Sequence, residues 1–167
     1  MSFTALAKAT ITGSTTSVSF NSIPQTYTDL LVYIVGRQGN AANYNDVEIT
    51  FNSSTSNRTQ RYVICQQSNN FATGTQVYFQ VGLIAGSLAG ANVYNTTQIY
   101  IPNYTSANPK SFLAINGMPN TAAAGGANDW YTNKWNDNTA ISSIQVNSLA
   151  GNYATYSTFY LYGIKSA

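Results

Sequence analysis

Carboxylates are the first candidates for chemistry in this 167-residue chain, because it holds five acidic residues and no histidine. Asp46 and Glu48 stand two positions apart in an alternating run, so a β-strand would place both side chains on one face. Glycoside hydrolysis needs two such carboxylates beside one sugar–sugar bond. Acidic residues on the solvent-facing side of a strand are nevertheless common, and nothing nearby indicates a substrate cleft. The sequence therefore favours a structural role for this pair over a catalytic one.

Metal binding and proton transfer have few candidate residues. Histidine is the usual proton shuttle near neutral pH and the commonest transition-metal ligand, so its absence excludes Ser-His-Asp and Cys-His sets. Asp46, Glu48 and a loop carbonyl could bind a hard cation, but the spacing of a calcium-binding loop is missing. The glycines in 36–39 indicate a turn, since no helix pattern follows them as in a phosphate-binding loop. We expect no enzyme activity, no catalytic residue, no metal site and no cofactor.

Residues 129–137 combine aromatic rings with amide and acidic side chains. The segment contains Trp130, Tyr131 and Trp135. Flat aromatic rings can stack on the apolar faces of sugars, while Asn and Asp side chains bond to sugar hydroxyls. The two tryptophans are five positions apart, however, so a strand would point them to opposite faces. Two interpretations stay open: the three aromatic residues bind a glycan or a protein, or they belong to the core or an interface.

The other charged residues are too few and too scattered to indicate a polyanionic partner. The basic residues are Lys8, Arg37, Arg58, Arg61, Lys110, Lys134 and Lys165, and the net charge is +2. They do not cluster enough to neutralise a run of phosphates, so we expect no nucleic-acid binding. Residues 81–93 are too short and glycine-rich to span a bilayer, and the first residues lack a secretory pattern, so we expect no membrane partner. Cys65, in an apolar run, is expected to be a buried, unreactive thiol.

Short runs rich in β-branched and aromatic residues recur along the chain and predict strands. The predicted strands are 10–11, 17–20, 30–37, 47–52, 61–66, 77–83, 97–101, 112–118, 140–146 and 158–164. Helical periodicity never exceeds two turns, and 84–91 is expected to form at most one short turn. These features predict an all-β fold, an antiparallel two-sheet sandwich that is jelly-roll-like, with residues 1–167 forming a single domain. Two long loops, 67–75 and 119–138, are expected to serve recognition or subunit contact.

Both ends of the chain carry distinctive patterns. The first follows the form F-x-x-I-P-x-x-Y-x-x-L over 20–30, and the second follows F-x-L-Y-G-I over 159–164. Together with the order of strands between them, these segments resemble virion proteins of tailed bacteriophages. The resemblance implies a β-sandwich displayed on the particle, either as a capsid decoration or cement protein or as the tip domain of a fibre, and usually as a trimer. It brings no catalytic residues with it.

The predicted function follows from the resemblance and from the scarcity of ionisable groups. We expect a capsid decoration or cement protein that is made in the host cytoplasm, forms a homotrimer and binds the major capsid protein or another virion component. It would lie on the outer surface of the capsid and stabilise the shell. The alternative is a tail-fibre or surface carbohydrate-recognition module that binds host-surface glycans through Trp130, Tyr131 and Trp135. A third hypothesis, a glycan-cleaving enzyme, would depend on Asp46 or Glu48.

Overall fold

Two antiparallel sheets stacked face to face form the protein. The structure is a computed structural model that describes residues 2–66, 70–118 and 126–165. Its strands are β1 (Ser2–Thr10), β2 (Ser17–Phe20), β3 (Asp29–Gly36), β4 (Tyr44–Phe51), β5 (Arg58–Gln66), β6 (Asn70–Gln76), β7 (Gln80–Ala85), β8 (Asn95–Ile101), β9 (Lys110–Met118), β10 (Ala127–Trp135), β11 (Ile144–Ser148) and β12 (Thr158–Lys165). One 3-10 turn, Ser87–Ala89, follows β7.

The two sheets differ in size. The large sheet has eight strands in the order β1-β12-β3-β8-β9-β10-β5-β6, and the small sheet has four in the order β2-β11-β4-β7. Every strand pair is antiparallel, including pairs far apart in sequence such as β1 with β12 and β3 with β12. This arrangement confirms the predicted all-β, antiparallel two-sheet sandwich.

Strict alternation of side chains builds the core between the sheets. In β8, β9 and β10, nearly every second residue is buried and the residues between them face solvent, as the two-residue period of a strand requires. Ile99, Ala114 and Tyr131 point inward from the large sheet, and Ile49 and Val146 meet them from the small sheet. One face of the large sheet is thereby covered, while its other face remains open to solvent.

Some sequence-based boundaries were wrong. The expected loop 67–75 contains most of β6, and the expected loop 119–138 contains β10, whereas 67–69 and 119–125 lie outside the described residues. The amino-terminal strand is also longer than expected, because β1 covers Ser2–Thr10 rather than only 10–11. These strands carry few consecutive apolar residues, so their composition does not distinguish them from loops. Pairing with β5, β9 and β12 holds them in the sheet.

Buried polar side chains join β7 to the large sheet; we call Asn95, Thr97, Asn116 and Asp129 the polar seam. The Asn116 Oδ1 atom accepts hydrogen bonds from Asn95 Nδ2 at 2.9 Å and Thr97 Oγ1 at 2.8 Å. Asn116 Nδ2 donates to Asp129 Oδ2 at 3.0 Å. Asn95 also bonds to the β7 backbone through both ends of its amide, at the Leu83 carbonyl and the Ala85 N–H. The seam thus fixes how β7 sits on β8, β9 and β10.

Arg37 holds the segment that follows β7. Its Nη1 donates to the carbonyl oxygens of Gly90 at 2.6 Å and Val93 at 3.0 Å, and Nη2 donates to the Ser87 carbonyl at 3.2 Å. The Arg37 residue is largely buried. The three carbonyl oxygens compensate the buried charge of Arg37, which forms no ion pair among the described residues. The guanidinium therefore positions the segment 86–94.

Replacing Arg37 by Met should loosen the segment 86–94 and lower the free energy of unfolding by about 2 kcal/mol, because three partly buried carbonyls lose a charged donor. Amide hydrogen exchange should accelerate in 86–94 while exchange in β9 stays slow. Arg61→Met is the matched control, since Arg61 is exposed. Equal exchange in 86–94 for the Arg37 variant and the wild type would show that the guanidinium does not hold this segment.

Candidate functional site

The three aromatic residues predicted to bind a ligand do not lie together. Trp130 points away from the core and is 44% exposed, whereas Tyr131 and Trp135 are 0% and 1% exposed. The cause is the alternation of β10, which sends odd-numbered residues inward and even-numbered residues outward. This corrects the predicted three-residue site: Tyr131 and Trp135 are core residues, and of the three only Trp130 is available to a ligand.

Trp130 lies within a contiguous apolar area on the open face of the large sheet, which we call the outer patch. Its residues are Val63, Tyr100, Leu113, Ile115 and Trp130, each 38–44% exposed. Trp130 stands between Ile115 on β9 and Val63 on β5, and Leu113 stands beside Tyr100 on β8. Since directly opposed side chains in a sheet are about 5 Å apart, the five residues form one surface.

Tyrosines extend the outer patch toward β12. Tyr33 is paired with Tyr160, and their ring centroids are 6.5 Å apart. The rings of Tyr160 and Tyr162 are stacked with centroids 6.3 Å apart. On β8, which pairs with β3 on the edge opposite β12, the Tyr100 hydroxyl donates to Asp29 Oδ2 at 2.7 Å. This hydrogen bond raises the pKa of Tyr100. The open face therefore presents aromatic rings on four strands.

A shallow groove beside Trp130 adds polar groups to this surface; we call it the Trp130 groove. Its volume is about 290 Å³, and it is lined by residues that include Tyr33, Gln98, Gly117, Asn128 and Trp130. A Cβ atom at Gly117 would meet no atom closer than 3.9 Å, so there is open space in the groove above this glycine. In the part of the chain that the structure describes, the side-chain amide groups of Gln98 and Asn128 have no hydrogen-bond partner. The groove combines an exposed indole ring with unused hydrogen-bonding groups.

A second, larger cavity opens at the end of the same face; we call it the basic cleft. Its volume is about 530 Å³, and it is lined by three basic residues, Arg58, Arg61 and Lys134, and by polar residues that include Thr59, Thr75, Ser111 and Thr132. Arg58 is already engaged, since it forms an ion pair with Glu48 and its Nε donates to the Thr55 carbonyl at 3.0 Å. Arg61 and Lys134 form no ion pair within the described ranges.

The candidate acids on β4 are committed to structural contacts. Glu48 pairs with Arg58. Asp46 accepts hydrogen bonds from Gln80 Nε2 at 2.7 Å and from the Tyr78 hydroxyl at 3.3 Å, and burial raises the pKa of its carboxyl group. Neither acid lines the basic cleft or the Trp130 groove. Among residues 2–66, 70–118 and 126–165, no three Cys, Asp or Glu side chains are grouped to hold a metal ion.

The remaining sequence expectations concern Cys65 and membrane spans. Cys65 is a free thiol. It is half-buried rather than buried in the core, and it lies opposite Asn128 in the register of β5 and β10. The expectation of a buried thiol is wrong because Cys65 has the same strand parity as Val63 and faces away from the small sheet. Within the described part of the chain, no helix has the length and apolar character to cross a membrane.

The fold and its surface define a β-sandwich with an exposed apolar sheet face, and comparison with known proteins adds little to this class. No protein-family model matches the sequence, and no curated protein matches it. A solved structure of the infectious bursal disease virus Gt strain is similar at 12% sequence identity and a TM-score of 0.14. That match covers 98% of this chain and 38% of the viral chain, so this chain spans well under half of its length. A TM-score this low carries no argument about fold or function.

Proposed function

We propose that the chain is a structural protein of a bacteriophage virion, namely a capsid decoration or cement protein. In this proposal it forms a homotrimer on the outer surface of the capsid, binds the major capsid protein or another virion component, and stabilises the shell. The outer patch is the observation that carries the proposal. It joins five partly exposed apolar residues on four neighbouring strands, and a contiguous apolar area of this kind is typical of a protein interface.

The sheet face suits repeated docking on a lattice. Strand residues are held by backbone pairing on both sides, so ordering them on contact costs little entropy. Tyrosine and tryptophan supply large contact area with few rotatable bonds, and the open face carries both. Burial of apolar area contributes about 25 cal/mol per Å², and a stable interface buries roughly 800 Å² on each partner. Symmetric copies would repeat this contact around the shell, so no single copy needs high affinity.

Replacing Leu113 by Asn should weaken binding to capsids by at least about tenfold, because a partly exposed Leu that becomes buried on docking contributes about 1.5 kcal/mol. The matched control is Leu149→Asn, since Leu149 is 46% exposed but lies after β11 in the small sheet. Binding is measured by co-sedimentation with capsids that lack this protein. Equal binding of the two variants would contradict the docking role of the outer patch.

Electron microscopy of the intact particle tests the location separately. Symmetric density for this chain over the capsid would support a decoration protein. Density restricted to a tail appendage would contradict it and would favour the alternative, a fibre module.

A second function, carbohydrate recognition, is favoured by the Trp130 groove. Sugar sites pair an aromatic ring with amide or hydroxyl groups that are free to bond, and the groove supplies Trp130 with Gln98, Asn128 and Tyr33. We propose it as the receptor-binding alternative, with the glycan on a host surface. The groove lies inside the outer patch, so a copy whose patch is covered by the shell cannot also bind a glycan there. The two functions are therefore competing uses of one face.

Loss of glycan binding by Trp130→Ala, with the fold retained, is the expected result for the carbohydrate function. The measurement is binding to immobilised glycans, and Trp130→Phe should keep part of it because a ring remains for stacking. Unchanged binding by the Ala variant would show that any glycan binds elsewhere.

A further inference from the structure

Arg61 links the two cavities on the open face of the large sheet. It is paired with Thr132 on β10, whose outward neighbours along the strand are Trp130 and Lys134. Arg61 is therefore diagonal to both, and diagonal side chains on one sheet face are about 7–8 Å apart, within reach of long side chains. The indole ring of the Trp130 groove and the two free cations of the basic cleft thus form one continuous surface.

None of the five acids, all of which the structure describes, lines the basic cleft or forms an ion pair with Arg61 or Lys134. The chain has five acids. Asp29 bonds to Tyr100 and to the Asn103 N–H, Asp46 and Glu48 lie on β4, Asp129 is buried in the polar seam, and Asp137 follows the end of β10. Like charges in neighbouring strand positions repel each other, so Arg61 and Lys134 together favour an anion between them.

The lining of the basic cleft indicates which anion would fit. Thr75 and Thr132 lie opposite Arg61 on β6 and β10, and Thr59 and Ser111 lie opposite Lys134 on β5 and β9, so four hydroxyl-bearing residues line the cleft beside the two cations. A planar guanidinium binds a carboxylate through two parallel hydrogen bonds, and hydroxyls suit a polyhydroxylated ring. An isolated carboxylate ion would use the cation and leave the hydroxyls and the indole ring unused.

We infer that the basic cleft binds the carboxylate of an acidic sugar residue, with the adjoining sugar residue of the same glycan stacked on Trp130. This inference rests on the carbohydrate-recognition function proposed above. The ligand class is a glycan that contains uronic acid or sialic acid. Arg61 and Lys134 set the preference for the acid, while Trp130 contributes to binding whether or not the sugar is charged.

The test compares each acidic ligand with a neutral counterpart. Tetragalacturonate and its methyl ester share a backbone, and sialyllactose with lactose gives a second pair. At low salt, the wild type should bind each acidic ligand at least tenfold more tightly than its neutral counterpart. Arg61→Gln and Lys134→Gln should each reduce this preference severalfold, with unchanged thermal unfolding because both residues are exposed. Lys165→Gln removes the same charge from an exposed residue on β12 and should leave the preference intact.

Several outcomes would overturn the inference and are distinguishable. Equal affinity for acidic and neutral ligands would refute the acidic-sugar site but leave carbohydrate recognition standing, whereas no binding of any of the four would refute both. An equal effect of Lys165→Gln would show general charge attraction instead of a site. If a single-stranded oligonucleotide of equal charge bound as tightly as tetragalacturonate, the cleft would be selecting charge rather than sugar. Loss of capsid co-sedimentation in Arg61→Gln, with acidic-ligand affinity unchanged, would assign the cleft to a protein contact.

Discussion

Replacing Trp135 by Ala should lower the free energy of unfolding by about 3–5 kcal/mol, the cost usual for removing a large buried ring. Trp135 is 1% exposed, and its ring packs against Phe51 with centroids 5.6 Å apart. Phe51 in turn contacts Phe79 and Phe112, so the substitution would open a cavity beside an aromatic cluster.

Lys110 adds to the expected loss. Its Nζ lies 5.4 Å from the centre of the Trp135 ring, and the residue is 2% exposed. The same ammonium group donates to the carbonyls of Thr139 and Asp137, and burial lowers its pKa. Without the ring, a buried cation loses part of its stabilisation. A domain of this size is stable by only about 5–15 kcal/mol, so the variant should be close to unfolding at 37 °C.

Trp130→Ala is the matched control, because it removes the same residue type from the same strand. Trp130 faces solvent, and the expected change in unfolding free energy is below about 1 kcal/mol. Urea denaturation of both variants, followed by far-ultraviolet circular dichroism, measures the difference. A loss for Trp130→Ala as large as that for Trp135→Ala would contradict the assignment of the two rings to opposite faces of β10.

The sequence predicted the fold class because strand periodicity is a local signal. Val47, Ile49 and Phe51 alternate with polar residues in β4, and their burial confirms the inward face expected there. The same rule indicated that Trp130 and Trp135 would point apart if their segment were a strand. It did not identify β10 as a strand, because the inward positions of β10 include Asp129 and Asn133. Those polar residues are tolerated inside only because the seam and the Gln60 amide bond to them.

The interaction face depends on register, which local patterns do not encode. Arg61 and Lys134 are far apart in sequence and become diagonal neighbours only because β5 pairs with β10 at Arg61↔Thr132. Val63, Ile115 and Trp130 form one apolar row for the same reason. Taken singly, each of these residues resembles any other exposed residue of a strand and does not indicate a binding surface. The one usable signal was a set of outward-facing apolar residues in predicted strands, and it becomes a patch only when the strand order is known.

Asp129 makes stability depend on pH. The residue is 0% exposed, and burial raises the pKa of its carboxyl group to about 6, since its hydrogen bonds, including one from Asn116, offset only part of the desolvation. In the unfolded chain the pKa is near 3.8. Below that value the group is protonated in both states, and its full contribution to stability is present. As pH rises from about 4 to 6, only the unfolded chain releases the proton, so the folded protein loses stability. The total loss reaches about 3 kcal/mol above pH 6.

Asp129→Asn should therefore remove a decline in stability that the wild type shows between about pH 4 and pH 7. The amide is isosteric with the protonated carboxyl, and its oxygen can still accept from Asn116 Nδ2. The two proteins should be similarly stable near pH 4, and the variant should be more stable by about 3 kcal/mol at pH 7, measured by urea denaturation across this range. Asp137→Asn should change the pH dependence in the opposite sense, because hydrogen bonds from Thr139 lower the pKa of Asp137 and stabilise its charged form. A constant difference between wild type and Asp129→Asn at every pH would mean that the seam holds Asp129 in the same protonation state as the unfolded chain, and that its burial carries no electrostatic cost.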